Sequence, residues 1–368
     1  MYLRRLWLTD FRSWQQLEFD SVEGATVLRG PNGVGKTNLL EAIAWLATMS
    51  SFRGASNDAL VRAGCDSAVI RAEVESDGRA QLIEAEISRT GRNRVLVNKQ
   101  RLKKAADLLG TLRVSVFSPD DLEVIKGGPA MRRGLIDDHL VALHPRNQGV
   151  RAEWERALRQ RNALLKSVGG RLDESAELTL EVWDQKASAA GSELASLREQ
   201  QLTRLAPAVQ QAYVDLAGAG ETVRVTYMRS WNGELSEALV GARRDDLRRG
   251  VTTVGPHRDE VLVELDGLPA RSHASQGEQR CLALAIRLAA HRELTSALGS
   301  APVLLLDDVF SELDPARAEA LVHSLPEGQS YLSTAGEPLT ALLQAGLKPD
   351  AVLEVRPGEL HMEAGPAD

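Results

Sequence analysis

Gly30-Pro31-Asn32-Gly33-Val34-Gly35-Lys36-Thr37 decides the fold. The octet fits the G-x-x-x-x-G-K-[ST] pattern of a phosphate-binding loop, a pattern that carries meaning only between a strand and a helix. Ahead of it Thr26-Val27-Leu28 reads as an apolar strand, and behind it Lys36 to Met49 carries Leu39, Leu40, Ile43 and Leu46 at helical spacing. The glycines let backbone N–H groups turn inward around phosphate oxygens, and the helix adds the positive end of its dipole. Lys36 is placed to reach the β and γ phosphates, and Thr37 to offer a hydroxyl to Mg²⁺. Gly30, Pro31, Asn32, Gly33, Val34, Gly35, Lys36 and Thr37 are therefore the nucleotide-binding candidates, with ATP and Mg²⁺ the expected cofactors. A phosphate loop establishes a nucleoside triphosphate site without saying what the site is for.

Working outward, Val303-Leu304-Leu305-Leu306-Asp307-Asp308 is an apolar run closed by two carboxylates. That is the pattern of a central parallel strand delivering charge at its C-terminal end. Asp307 is expected beside Mg²⁺, and Asp308 either orients or deprotonates the attacking water or caps the next turn. Its side chain is one methylene shorter than glutamate, so slow hydrolysis is expected. Ser275-Gln276-Gly277-Glu278-Gln279 precedes a helix through Leu282, Ile286 and Leu288. Ser275 and Glu278 have capping-box spacing, while a Ser hydroxyl beside a Gly N–H at a helix start also makes an anion site; both readings stand. A second phosphate-seeking helix start in a chain that already has a phosphate loop suggests that two copies share each nucleotide. Ser311-Glu312-Leu313-Asp314 would lie at the same shared face.

Strand patterns recur at Leu17 to Asp20, in a hairpin formed by Ala68 to Glu75 and Ala80 to Ser88, and at Val95 to Val97. The middle of the chain turns helical. Trp154, Ala157, Leu158, Leu164, Leu165 and Val168 repeat at helical spacing up to Gly169-Gly170, and Leu180, Trp183, Ala187, Ala190, Leu194 and Leu197 do so beyond it. The spacing predicts two long antiparallel helices, with Pro207 interrupting the helical region. Strands return at Val223 to Tyr227 and at Val261 to Leu265, the latter followed by an Asp266-Gly267 turn. The expected organisation is residues 1–115 as one half of an α/β head, 116–220 as an inserted helical arm lobe and 221–368 as the other half of the head.

Composition narrows the function. The 368 residues are enough for two or three domains, or one large domain carrying an insertion, and at 43 % apolar and 26 % charged they have the composition of an ordinary soluble globular protein. No apolar stretch approaches the roughly 20 residues that span a bilayer, and charge interrupts the N-terminal segment too early for a signal peptide, so a cytoplasmic location is expected. Cys65 and Cys281 lack CxxC spacing, which argues against a metal site or a disulfide framework. A net charge of −7 would by itself count against nucleic acid, yet Arg89 to Lys104 holds seven basic residues and no acidic one. Arg92, Arg94, Lys99, Arg101, Lys103 and Lys104 are accordingly candidates for contact with a DNA backbone; the alternative is a basic strand edge that resists aggregation. Arg132, Arg133, Arg151, Arg156, Arg159 and Arg161 are weaker candidates of the same kind.

The order of motifs resembles the ATP-binding-cassette (ABC) ATPases, and within them the heads of the SMC and double-strand-break-repair group. Leu8-Thr9-Asp10-Phe11-Arg12-Ser13, Phe117-Ser118-Pro119-Asp120-Asp121-Leu122, Lys126-Gly127-Gly128-Pro129-Ala130-Met131-Arg132-Arg133 and Gly255-Pro256-His257-Arg258-Asp259 sharpen the resemblance to the RecF family. Thr37 and Asp307 lie 270 positions apart, room for a short helical arm and far too little for a long SMC coiled coil. The resemblance implies an α/β fold: an ABC-type head, built from a phosphate-loop core and an antiparallel β subdomain, with an inserted helical arm lobe. It implies Lys36 and Asp308 as catalytic, Thr37 and Asp307 as magnesium ligands, and Ser275, Gln276, Gly277 and Glu278 as contacts to the γ-phosphate held by a second copy. Asp314 would line that seam and Arg12 would reach the nucleotide. It further implies an ATP-dependent homodimer that binds duplex and gapped DNA, and cooperation with RecR and RecO in loading RecA. Two departures stand out: Tyr331-Leu332-Ser333-Thr334-Ala335 lacks a switch His, and Phe117 to Leu122 lacks the Gln that often completes the metal shell. Ser333 or Thr334, and Asp120 or a water, are the expected substitutes. A nucleotide-gated scaffold with little hydrolysis, and an ABC cassette outside DNA repair, are the rival readings.

Overall fold

The computed structural model describes every residue except 77, 103–104, 219, 336–337 and 363–368. In chain order the N-terminal elements are β1 (Tyr2–Phe11), β2 (Trp14–Asp20), β3 (Ala25–Arg29), α1 (Lys36–Thr48), α2 (Asn57–Leu60), β4 (Ser67–Ser76), β5 (Arg79–Ser88), β6 (Arg94–Val97), β7 (Gln100–Arg101) and β8 (Val114–Phe117). The middle holds α3 (Leu122–Lys126), α4 (Pro129–Leu143), α5 (Asn147–Ser167), α6 (Glu174–Ala217), β9 (Val223–Met228), α7 (Leu235–Arg249), β10 (Glu260–Leu265), β11 (Leu268–Pro269) and α8 (Ala270–His273). The chain continues through α9 (Gln276–Leu298), β12 (Val303–Asp307), α10 (Pro315–Ser324), β13 (Ser330–Thr334), α11 (Pro338–Gln344), β14 (Ala351–Arg356) and β15 (Glu359–Met362).

Two compact units form. The first comprises Met1–Asp121, Gln211–Ala219 and Arg280–Asp368. Its six-stranded sheet runs β15-β14-β3-β13-β12-β8, with every pair parallel except the edge pair β14 and β15. All five residues of β12 and all five of β13 are buried; β12 accordingly reads as an apolar run up to Asp307, whereas β13 buries Ser330, Ser333 and Thr334 beside Tyr331 and Leu332. The second sheet of this unit, β2-β1-β4-β5-β6-β7, is antiparallel throughout, and its strands alternate between buried and more exposed positions. A single apolar core gathers Leu6 and Leu8 of β1, Ile70 and Val74 of β4, Leu39, Ile43 and Trp45 of α1, and Leu28 and Leu305 of the parallel sheet. The α/β head with an antiparallel β subdomain is the architecture that the resemblance implies.

The second unit comprises Leu122–Gln210 and Gly220–Gln279. The 221–279 segment thus groups with the helices rather than with the head. The physical reason is cover for the small sheet β11-β10-β9: Val261 of β10 packs with Ile136 and Leu140 of α4 and Leu202 of α6. The two long helices are antiparallel as expected, since Arg161 of α5 bonds Asp184 of α6 while Trp154 of α5 lies against Gly191. A Cβ on Gly191 would stand 2.8 Å from the Trp154 ring, so the helices approach this closely only because residue 191 has no side chain.

Pro207 does not interrupt the helical region: α6 runs through it for 44 residues. Proline removes one backbone donor and leaves the Thr203 carbonyl without its helical partner. Buried Leu202 and Leu205 before it and Val209, Ala212 and Tyr213 after it anchor the helix on both sides, and that burial outweighs the local loss. Pro207→Ala is expected to stabilise the protein by about 2 kcal/mol, the helix-interior penalty less the rigidity proline lends the unfolded chain. The check is a urea midpoint that rises with an unchanged slope; a midpoint that falls would mean that the proline's shape is itself packed.

Candidate functional site

The loop between β3 and α1 has the backbone its glycines permit. Gly33 has φ 84° and Gly35 φ 115°, both in the region that favours glycine. A Cβ at Gly33 would meet nothing within 4 Å, so the space over the loop is open and conformation alone demands glycine there. From behind, the loop is pinned: Gly30 N donates to Thr334 O (3.3 Å), and the buried Trp14 donates Nε1 to Gly35 O (3.3 Å). A Cβ at Gly30 would stand 2.4 Å from the Val355 carbonyl of β14. Lys36 lies across its own loop, Nζ donating to Gly30 O (2.6 Å) and Pro31 O (2.9 Å). Burial pushes the Lys36 pKa down, against the pull of Asp308 and Asp307.

Strand order brings the acidic end to this loop. Asp307 is in register with Ser333 of β13, and Ser333 with Leu28 of β3. Asp307 Oδ1 accepts from Thr37 Oγ1 (2.8 Å) and from Ser333 Oγ (2.8 Å). Burial pushes the Asp307 carboxyl up, the two hydroxyls pull it back, and Asp308 raises it again. Asp308 has φ 50° and heads the turn Val309–Glu312, but its side chain makes no capping bond, so the capping alternative is not realised. Its N–H donates to Ser333 Oγ (2.9 Å), and its Oδ1 is buried with no hydrogen-bond partner. Ser333, one of the two residues expected to stand in for the missing switch His, thus bridges both acidic positions.

These residues fit Mg²⁺ carried by a nucleotide. Among the described residues no group of three His, Cys, Asp or Glu side chains could hold a metal alone. Mg²⁺ accepts one or two protein oxygens when phosphates and water complete its shell. The Thr37 and Asp307 oxygens supply such a pair, and the orphaned Asp308 oxygen is a free acceptor beside it.

The remaining candidates divide. Arg12 forms a bidentate pair with Glu41 (2.7 and 2.8 Å) and donates to Ala59 O (2.9 Å). Ser275 N donates to Glu278 Oε2 (2.6 Å) and Glu278 N to Ser275 Oγ (3.3 Å), so in the single chain the capping-box reading is realised. Gln276 is exposed and Gly277 half-buried on the same turn, which belongs to the second unit. Asp314 caps α10 by accepting from Arg317 N (3.1 Å), a bond that holds its carboxyl below the usual range. Asp120 is exposed, while its neighbour Asp121 is buried and paired with Arg287.

The basic run is not uniformly available. Arg92, Lys99 and Arg101 are exposed, the last two on the β6–β7 hairpin at the sheet edge. Arg94 pairs with Glu86 (2.6 Å), and Arg89 turns inward to Arg62 O (3.0 Å). Lys103 and Lys104 lie outside the described residues. Four of the weaker arginine candidates are structural: Arg132 binds Glu260 and three backbone carbonyls, Arg133 the Asp259 carbonyl, Arg151 Asp138, and the wholly buried Arg161 Asp184, Asp246 and Thr252. His257 bonds Thr252 O (3.0 Å) and lies against the Trp154 ring, which accounts for it as packing. Sequence reasoning missed Trp14, Glu41 and Arg53; the last is exposed in the loop after α1 and close enough to Asp307 to favour its charged form. Their only signal was proximity in sequence to Arg12 or the loop helix.

Comparison with known proteins places the chain in a family. A family model described as the RecF/RecN/SMC N-terminal domain matches residues 2–332. A protein of Streptomyces avermitilis named DNA replication and repair protein RecF is 44 % identical over 352 residues, covering 91 % of this chain and 93 % of the relative. A namesake from Acidothermus cellulolyticus is 41 % identical over 347 residues, with 91 % and 93 % covered. A solved structure of the recombination mediator protein RecF with ATP, in the RecFOR pathway, superposes with TM-score 0.88 at 28 % identity, covering 98 % of this chain and 99 % of the other. An SMC head bound to the C-terminal winged-helix domain of ScpA shares the fold at TM-score 0.60 and 16 % identity, with 100 % and 98 % covered.

Because folding raises the Asp307 carboxyl above the ordinary aspartate range, its burial weakens the nucleotide-free protein once pH rises past the unfolded value. Asp307→Asn is therefore expected to melt higher than the wild type at pH 7, with the difference closing as pH falls towards about 4. Thermal melts across that range check it; a variant that melts lower at pH 7 would show that the carboxylate is compensated already.

Proposed function

The chain belongs to the RecF family, within the RecF/RecN/SMC N-terminal-domain proteins, and from that membership we propose that it is an ATP-dependent, DNA-binding recombination mediator. The observation that carries the reading is the single Asp307 oxygen shared by Thr37 and Ser333 beside an open phosphate loop. In this reading Lys36 leaves the Gly30 and Pro31 carbonyls for the β and γ phosphates, which restore the charge partner that burial withholds. Thr37 and Asp307 hold Mg²⁺, which screens the phosphate charge when bound. Asp308, with one oxygen free, orients the attacking water. The short Asp308 side chain and a serine in place of the switch His support slow hydrolysis that resets a switch rather than drives a motor.

A second copy completes the site. Ser275, Gln276, Gly277 and Glu278 present a capped helix start that a γ-phosphate can approach, with Asp314 at the same seam. The ATP-bound dimer holds duplex DNA near a single-strand gap, and hydrolysis opens it. RecR and RecO are the partners through which it supports RecA loading in the cytoplasm; no helix among the described residues is long and apolar enough to cross a membrane. A scaffold that binds nucleotide but barely hydrolyses it is the second reading, favoured by the same serine at position 333.

Fluorescence anisotropy of a labelled gapped duplex, at fixed salt, tests the proposal: affinity is expected with ATP and little with ADP or no nucleotide. Equal weak binding in all three states would remove the DNA clamp. Replacing Arg92, Lys99 and Arg101 together with alanine is expected to lower the slope of log affinity against log salt by roughly 2 to 3, about 0.9 for each phosphate that is no longer neutralised. Ser275→Arg is expected to leave nucleotide binding by the single chain intact yet prevent ATP-driven doubling of mass in light scattering; a variant that still doubles would sink the shared site.

A further inference from the structure

A carboxylate outside the motif positions organises the approach to the nucleotide site. Glu41 lies four residues beyond Thr37 on α1, hence on the same helix face, and is fully buried. A buried charge of this kind persists only when its partners satisfy it. Glu41 has three donors: Arg12 Nε to Oε2 (2.7 Å), Arg12 Nη2 to Oε1 (2.8 Å) and a short hydrogen bond from Ser51 Oγ to Oε1. Ser51 Oγ in turn accepts from Arg53 N (3.1 Å), so a chain of bonds runs from the helix into the loop that carries Arg53.

Arg12 is fixed as firmly as Glu41. It sits in the turn between β1 and β2 with φ 54°, a conformation that is strained for a non-glycine residue and persists only where its surroundings over-determine it. Its N–H donates to Leu60 O (2.8 Å) and its Nη1 to Ala59 O (2.9 Å). Three segments distant in sequence therefore converge on one carboxylate: the turn of Arg12, the helix that begins with Lys36 and Thr37, and the loop of Ser51 and Arg53.

We propose that Glu41 is a positioning residue of the nucleotide site, locking the Arg12 guanidinium and the backbone of the Ser51–Arg53 loop to the phosphate-loop helix, so that Arg12 presents preordered positive charge to the bound phosphates and Arg53 is carried on a fixed loop beside it. The inference rests on the nucleotide reading above. Its physical basis is that a long cationic side chain held in place before binding loses less freedom when an anion arrives.

The test measures affinity of the full-length protein for a fluorescent ATP analogue with Mg²⁺, together with the melting temperature. Glu41→Gln is expected to weaken binding about tenfold. Ser51→Ala cuts only the route to Arg53, leaves the Arg12 pair in place, and is expected to weaken binding a few-fold without lowering the melting temperature appreciably. In a background carrying Arg12→Ala and Ser51→Ala, Glu41→Gln is expected to add less than about twofold, because both routes are already cut. Wild-type-like affinity in Glu41→Gln and Ser51→Ala, beside a Lys36→Ala control that loses binding, would overturn the role of Glu41 alone. A wild-type chain that fails to bind the analogue would overturn the nucleotide reading and this inference with it.

Discussion

One carboxylate oxygen holds the nucleotide site together. Asp307 Oδ1 accepts a hydroxyl from the phosphate-loop helix and another from β13, 270 and 26 residues away in sequence, and it does so from a buried position. The parallel order β3-β13-β12 makes this possible by ending three strands in one row, with the phosphate loop leaving the first and the two acids leaving the third. Burial disfavours the charge that the site needs, and the two hydroxyls offset part of that penalty. The same imbalance readies the site for a cation: a divalent ion would neutralise a carboxylate that the protein leaves undercompensated, and Lys36, lowered by the same burial, is ready to exchange carbonyl partners for phosphate.

A second carboxylate plays a different part in the same unit. Glu41 has no room to leave and three donors to hold it, so its fork with Arg12 is a fixed joint between the antiparallel sheet and the helix of the phosphate loop. Asp307 is a buried carboxylate with two hydroxyl donors and, among the described residues, no cationic partner bonded to it, whereas Glu41 has a guanidinium fork and a hydroxyl. The contrast shows how one helix serves both carboxylates: its first turn gives Thr37 to Asp307, and its second holds Arg12 through Glu41.

The helical unit is specified by buried ion pairs as much as by apolar packing. Arg161 reaches Asp184 and Asp246, and Arg198 takes Asp137 in a bidentate pair while also donating to Pro256 O. Such pairs add little net stability against an apolar alternative, but breaking one leaves an uncompensated charge, so they fix which helix faces which. They also explain why Arg161, which looks like part of a basic helix surface in the sequence, is absent from it, while Arg156 and Arg159 on the same helix stay exposed.

Much of the first unit was legible from residue patterns. The phosphate loop, its flanking strand and helix, the Asp307-Asp308 strand end and the β4–β5 hairpin follow from local rules, because glycine conformation, helical spacing and strand alternation act over a few residues. Pro207 shows where such rules fail: a residue that breaks isolated helices is carried through by side chains buried on either side of it. The basic run shows the same limit, since Arg94 and Arg89 are taken up by partners that the sequence order does not reveal. Sequence by itself determined which chemistry is present, a phosphate loop and two acids at a strand end, because those signals are short-range. Only tertiary structure decided that Asp307 shares its oxygen with Ser333, that 221–279 joins the helices and that Glu41 gathers two arginine-bearing segments, because each depends on pairings between segments that meet only after the chain has folded.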